Sequence, residues 1–172
     1  MDQKSICYFL CAEFTKFEIR QKRITMDSFI LAEDLRVMYV TATDFPEGVE
    51  RAHIQLHAMI TEKERRRFFG ISWPDENGHI IYKAACDEMV PGEAEKLGLE
   101  AFVIKKGPYN SFFIKDFMED IGSMKRAFKL LLAQHEVDPN GYCLEWYIGD
   151  NDVKCMVPLG PEYQYYTGLN KE

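Results

Sequence analysis

No stretch of this 172-residue sequence is apolar for long enough to cross a bilayer as a helix, so no helical membrane anchor is expected. Positive charge is scarce as well. Lys+Arg number 21 against 28 Asp+Glu, and the formal net charge of -7 makes a surface that repels a phosphate backbone. Direct nucleic-acid binding is therefore not expected. The five cysteines, Cys7, Cys11, Cys86, Cys143 and Cys155, are odd in number and irregularly spaced, which excludes a disulfide framework. The apolar run from Ile6 to Phe14 is short, contains Glu13 and has no small-residue cleavage pattern, so no secretory signal is read there. A cytoplasmic protein with free thiols is the expectation. Metal ligands are equally sparse. Cys7-x3-Cys11 has no second pair, and His53-x3-His57 has no third ligand, so these read as small buried cysteines and helix-surface histidines. Neither a metal nor a cofactor is expected.

What is present is apolar mass and aromatic rings, 47% hydrophobic and 13% aromatic residues, enough to build a core in one globular unit or two small ones. From residue 35 onward the chain reads as two sentences of the same grammar. Leu35 to Val40 is a strand, Asp44 to Gly48 a turn, and Val49, Ala52, Leu56, Met59 and Ile60 recur at helical spacing. Phe68 to Trp73 and Ile80 to Cys86 then form a hairpin across Pro74 to Gly78. The order repeats. Leu99 to Lys105 reads as a strand, Lys106 to Asn110 as a turn, and about 114 to 135 as a helix with the stripe Phe117, Ile121, Met124, Phe128 and Leu131, weakened in its middle by Gly122. Tyr142 to Ile148 and Val153 to Leu159 close the second hairpin. The fold class is thus α+β, each half a β-α-β-β module, and pseudo-two-fold halves of this kind leave a groove where they meet. The modules span 35–88 and 99–159, preceded by an extension at 1–34 and followed by a tail at 160–172. Placing Gly70-Ile71-Ser72-Trp73 over Leu144-Glu145-Trp146-Tyr147 sets Trp73 opposite Tyr147 and Ile71 opposite Glu145.

The strand Gly141-Tyr142-Cys143-Leu144-Glu145-Trp146-Tyr147-Ile148 carries one acidic residue among rings and aliphatic groups. Alternation sends Leu144, Trp146 and Ile148 to one face and Cys143, Glu145 and Tyr147 to the other. A carboxylate on the second face lies either at a solvated surface or in an aromatic-walled cleft. In the cleft it costs several kcal/mol, by order of magnitude, unless a cation or hydrogen-bond donors answer it. An organic cation would answer it, with cation-π attraction of ~0.5 to 2 kcal/mol per ring.

The motifs Lys-Gly-Pro-Tyr (106–109), Leu-Glu-Trp-Tyr (144–147) and Val-Lys-Cys-Met-Val-Pro-Leu (153–159), in that order, resemble the second half of the GyrI-like small-molecule-binding domain. Phe-Gly-Ile-Ser-Trp (69–73) and Ile-Tyr-Lys-Ala-Ala-Cys (81–86) are similar to its first half. That domain is the effector-binding part of many AraC- and MerR-type bacterial transcription regulators. The resemblance implies a duplicated β-α-β-β module with an antiparallel sheet, helices on one side and a central ligand cleft for lipophilic, often cationic molecules. It places Glu145 as counter-charge with Tyr147 beside it, Trp73 and Tyr82 at the aromatic positions of the first module, and Tyr109 at the tyrosine of the turn. Tyr39 is added because its strand should border the cleft. A branch of the family hydrolyses strained electrophiles with the same glutamate.

The chain departs from the regulators in having only about 34 residues ahead of the domain, too few for their DNA-binding unit, and the basic stretch Phe17 to Arg23 reads as a solvated helix face. Arg65-Arg66-Arg67 satisfies a helix C-terminus as readily as it binds an anion. Three functions follow in order of preference. The first is a stand-alone small-molecule binder related to regulator sensors. The second is a small hydrolase of electrophilic xenobiotics, with Glu145 and Tyr147 as base and acid. The third is an inhibitor of a protein partner such as DNA gyrase. Cys143 shares the face of Glu145, but no histidine is placed by the sequence to activate it.

Overall fold

The computed structural model describes residues 26–120 and 122–164. The readings made for Cys7, Cys11, the run 6–14, the basic stretch 17–23, Ile121 and the tail beyond 164 lie outside the described residues.

The chain builds one eight-stranded antiparallel sheet, curled into a half-barrel with helices packed on one face. In chain order the elements are β1 (Met26–Leu31), β2 (Leu35–Thr41), α1 (Val49–Met59), β3 (Phe68–Pro74), β4 (Ile80–Asp87), the short α2 (Glu93–Lys96), β5 (Glu100–Ile104), β6 (Gly107–Ile114), α3 (Gly122–Leu132), β7 (Cys143–Ile148), β8 (Asp152–Pro158) and α4 (Pro161–Gln164). Across the sheet the strands run β1-β6-β8-β7-β3-β4-β2-β5. Counted inward from either edge the order matches if β1, β6, β8 and β7 are exchanged for β5, β2, β4 and β3. The outermost strand on each side comes from the other half of the chain. β1, which precedes β2, pairs with β6, and β5, which precedes β6, pairs with β2.

Residues 26–31 fall in the stretch set apart from sequence as an extension, yet as β1 they form an edge of the sheet. The expected turn at 106–110 is instead the start of β6, which pairs with both β1 and β8. Pro108 hides it. Its missing N–H falls at the beginning of the strand, where the pairing with β8 has not yet started, so a turn-like residue costs the ladder little. The expected helix at 114–135 shortens to α3 because β6 runs on to Ile114 and a 3-10 turn occupies Phe117–Glu119. The glycine read as a weak point in the helix, Gly122, is where the helix begins.

Alternation along the strands divides the apolar residues between two faces. One holds a core of Leu31, Leu35, Val37, Tyr39, Phe69, Ile71, Ala85, Ile104, Tyr109, Leu144 and Met156. The other is split. Ala52 and Leu56 of α1 pack with Met38, Val40, Tyr82 and Ala84, whereas Ala127 and Leu131 of α3 pack with Phe112, Val153, Cys155 and Val157. Because α1 lies on β2 and β4, and α3 on β6 and β8, the central pair β3 and β7 is left without a helix above it. That gap is the cleft. Among the described residues no helix is long and apolar enough to cross a membrane.

Candidate functional site

The floor of the gap is set by strand parity. In β7, Leu144 joins the core on the face away from the helices, so Glu145 is turned toward them, flanked by Cys143 and Tyr147. On β4 the same parity sends Ala85 away from the helices and Tyr82 toward them. The cleft between α1 and α3 has a volume of about 1390 Å³, and its lining includes Phe45, His53, Tyr82, Phe117, Phe128, Glu145 and Tyr147.

Glu145 is held by phenols. The Tyr147 hydroxyl donates to its Oε2 at 2.6 Å, and the Tyr82 hydroxyl donates to the same oxygen at 2.7 Å. The two hydroxyls are 3.2 Å apart, and Nε2 of His53, from α1, stands 3.1 Å from the Tyr82 oxygen. With the carboxylate ionised, each phenol has committed its one proton to Glu145. His53 must then donate its Nε2–H to Tyr82, which fixes the neutral tautomer. Rings close the wall: His53 meets Tyr147 edge-on at 5.3 Å, Phe45 stacks on Tyr82 at 5.9 Å, and Phe117 packs on Tyr147 at 5.8 Å.

Burial raises the Glu145 carboxyl above its ordinary range, and the two phenolic hydrogen bonds pull it back only in part. Both phenols are raised well above their usual value, first by burial and then by the adjacent Glu145 charge. His53 is pushed down to about 4, mainly by burial and then by His57, so it stays neutral at physiological pH. No ion pair among the described residues includes Glu145; Lys63, Lys125 and Lys129 also line the cleft, and none pairs with it.

Gly70 makes this cluster sterically feasible. It lies directly across from Glu145 in the β3–β7 register, and a Cβ at this position would overlap the Tyr82 hydroxyl and Glu145 Oε2. Its backbone is not in the positive-φ region that favours glycine, so space rather than conformation accounts for a glycine in the middle of a central strand.

The residues expected at the site divide. Glu145, Tyr147 and Tyr82 meet in the cleft. Trp73, Tyr39 and Tyr109 lie on the opposite face, where Trp73 stacks on Phe102, Tyr39 bonds Glu100, and the Tyr109 hydroxyl meets Tyr142 at 2.9 Å and the Lys105 carbonyl at 2.5 Å. The superposition that set Ile71 on Glu145 fails on parity, because Ile71 points into the core behind the sheet; across the β3–β7 ladder it is Gly70 that faces Glu145. His53 was missed, having been read as a helix-surface residue. Arg66 and Arg67 are engaged with Glu93 at 2.5 Å and Asp87 at 2.8 Å, so they are not free to hold an anion. Burial raises the Cys155 thiol, which sits beside Glu145 across the β7–β8 ladder, and pushes that of Cys86 up to about 12, which keeps both protonated. No cluster suited to a metal ion occurs among the described residues.

No protein-family model matches the sequence, and no curated protein matches it. The fold recurs in solved structures. An integron cassette protein from the mobile metagenome of Vibrio cholerae aligns with a TM-score of 0.58 at 13% identity, over 78% of this chain and 95% of that one. SAV2435, solved bound to tetraphenylphosphonium, aligns with a TM-score of 0.50 at 12% identity, over 84% of this chain and 99% of that one. At such identities the likeness is one of fold.

Proposed function

We propose that this chain is a small-molecule binder of the GyrI-like kind, taking a lipophilic cation into the cleft above Glu145 in the manner of a regulator's ligand sensor. The observation that carries the reading is an acidic side chain at the floor of an aromatic cleft, held by two phenols and paired with no cation among the described residues. A carboxylate so placed is costly when empty and attracts an organic cation more strongly than it would in water. The surrounding rings add cation-π attraction and apolar contact. The shared fold with a protein bound to tetraphenylphosphonium agrees with this reading and suggests the first probe.

Hydrolysis is the second reading, since Tyr147 is a proton donor 2.6 Å from Glu145. Binding precedes it here because that proton is spent on holding the carboxylate. Calorimetric titration with tetraphenylphosphonium tests the proposal. Wild type should bind, and Glu145→Gln, which keeps shape and removes charge, should weaken binding by roughly a hundredfold, the worth of a partly desolvated ion pair of ~3 kcal/mol. Equal affinity in the two proteins would rule out Glu145 as counter-charge.

A further inference from the structure

The two oxygens of the Glu145 carboxylate are not equivalent. Oε2 accepts both phenolic protons, at 2.6 and 2.7 Å. Oε1 accepts no hydrogen bond from either phenol, and none among the described residues reaches it. Glu145 lines the cleft, so this acceptor belongs to a carboxylate that borders the space a ligand would fill. Both phenolic protons are committed to the other oxygen, and His53 gives its Nε2–H to Tyr82, so this cluster has no donor left for Oε1.

From this inventory, and resting on the cation-binding reading above, we propose that the cleft selects cations that carry an N–H bond. Its ligand class is the protonated lipophilic amine, in preference to quaternary ammonium or phosphonium ions of the same size. A quaternary ion offers Oε1 only charge and leaves its lone pairs unanswered once water has been displaced. A protonated amine brings a donor that must itself find an acceptor on leaving water, and Oε1 supplies it as a charge-assisted hydrogen bond. The rings serve both cations alike. Discrimination therefore falls on one oxygen.

Competing effects point the other way, which makes the inference sharp. Methylating the amine to a quaternary ion adds apolar area and lowers the cost of removing the cation from water, and in a site governed by rings and charge alone it would improve binding.

The test is a calorimetric comparison, at a pH where the amine is protonated, of dibenzylmethylamine, its quaternary counterpart dibenzyldimethylammonium, and tetraphenylphosphonium. The amine should bind about tenfold or more tighter than its quaternary counterpart, as a charge-assisted hydrogen bond predicts, and Glu145→Gln should shrink that ratio. Equal or tighter binding of the quaternary ion overturns the N–H selectivity and leaves the cation site standing. Binding of tetraphenylphosphonium without binding of the amine overturns it likewise. Failure of all three ligands removes the cation reading and this inference with it.

Discussion

The two faces of the one sheet treat charge among aromatic rings in opposite ways. On the face away from the helices, the Lys83 ammonium lies 3.2 Å from the centre of the Tyr39 ring and 5.5 Å from that of Trp73, the Tyr39 hydroxyl bonds Glu100, and Tyr109 and Tyr142 bond each other. Cation, rings and hydroxyls answer one another inside the molecule. On the helix face the sign is reversed and the account stays open. Glu145 is an anion with rings around it, proton donors on one oxygen and no cation among the described residues. Rings surround a charge on both faces, so aromatic surroundings alone do not single out a site; on the proposed reading, a charge unanswered among the described residues does. The difference also explains why the open charge survives at this place. The central strands β3 and β7 are the ones that neither helix covers, so the cost of a buried carboxylate is met where a ligand has room to enter.

The contrast can be broken most forcefully at Gly70. Gly70→Ala would put a methyl where Tyr82 and Glu145 meet, and affinity for tetraphenylphosphonium should fall by about tenfold to a hundredfold, in line with the 1–3 kcal/mol typical of overpacking. The double variant Gly70→Ala/Tyr82→Phe gives the methyl the room of the lost hydroxyl and should recover part of the loss by calorimetry. No recovery would mean that Gly70 serves the strand rather than the site. A smaller effect is expected from Tyr147→Phe. The ring face remains, and the loss of one hydrogen bond to Oε2 should weaken binding by less than about tenfold. If the protein instead turns over a strained or activated electrophile, the same change should cut the rate by ~10²-fold with binding nearly intact, and that result would move the protein to the hydrolases. Changes on the closed face should matter least. Trp73→Phe and Lys83→Met, each checked for folding by circular dichroism, should leave affinity within about twofold, because sites without a shared partner act independently. A large loss in either would place those residues at a ligand site and erase the distinction between the faces.

How far the sequence reaches is decided by parity. In residues 142–148 polar and apolar character alternates visibly, so the orientation of Glu145 and Tyr147 follows from the letters. In β2, Val37, Met38, Tyr39 and Val40 are all buried, because one face meets α1 and the other the opposite core. A strand apolar on both sides has no alternation to read, and Tyr39 was assigned to the wrong side of the sheet. Trp73 fails for a related reason. Its face is fixed by pairing β3 to β7 in a register that brings Gly70 against Glu145, and register is a long-range property invisible in either strand alone. Tyr109 was hidden by a glycine and a proline that open β6 while resembling a turn. His53 carries no local signal that separates it from His57, one turn on, since only the packing of α1 against β4 brings its ring to Tyr82. The helix and hairpin of each half follow from periodicity; β1, the start of β6 and the crossed edge strands do not, because nothing local tells a strand which neighbour it will find.

The central claim, that Glu145 is a charge waiting for a partner, is tested most directly by titrating its carboxyl with carbon-detected NMR in the empty and ligand-saturated protein. Burial holds the empty carboxyl above its ordinary range, so the folded protein binds a proton there that the unfolded chain has already released. This contribution to stability is present at low pH and is lost as pH rises from the ordinary glutamate value through the raised one. A cation that prefers the ionised form must shift the balance back. Saturation with tetraphenylphosphonium should therefore lower the Glu145 titration midpoint, and affinity should rise with pH across the same interval. A midpoint already in the ordinary glutamate range when the cleft is empty, or one that ligand leaves unmoved, would contradict the account.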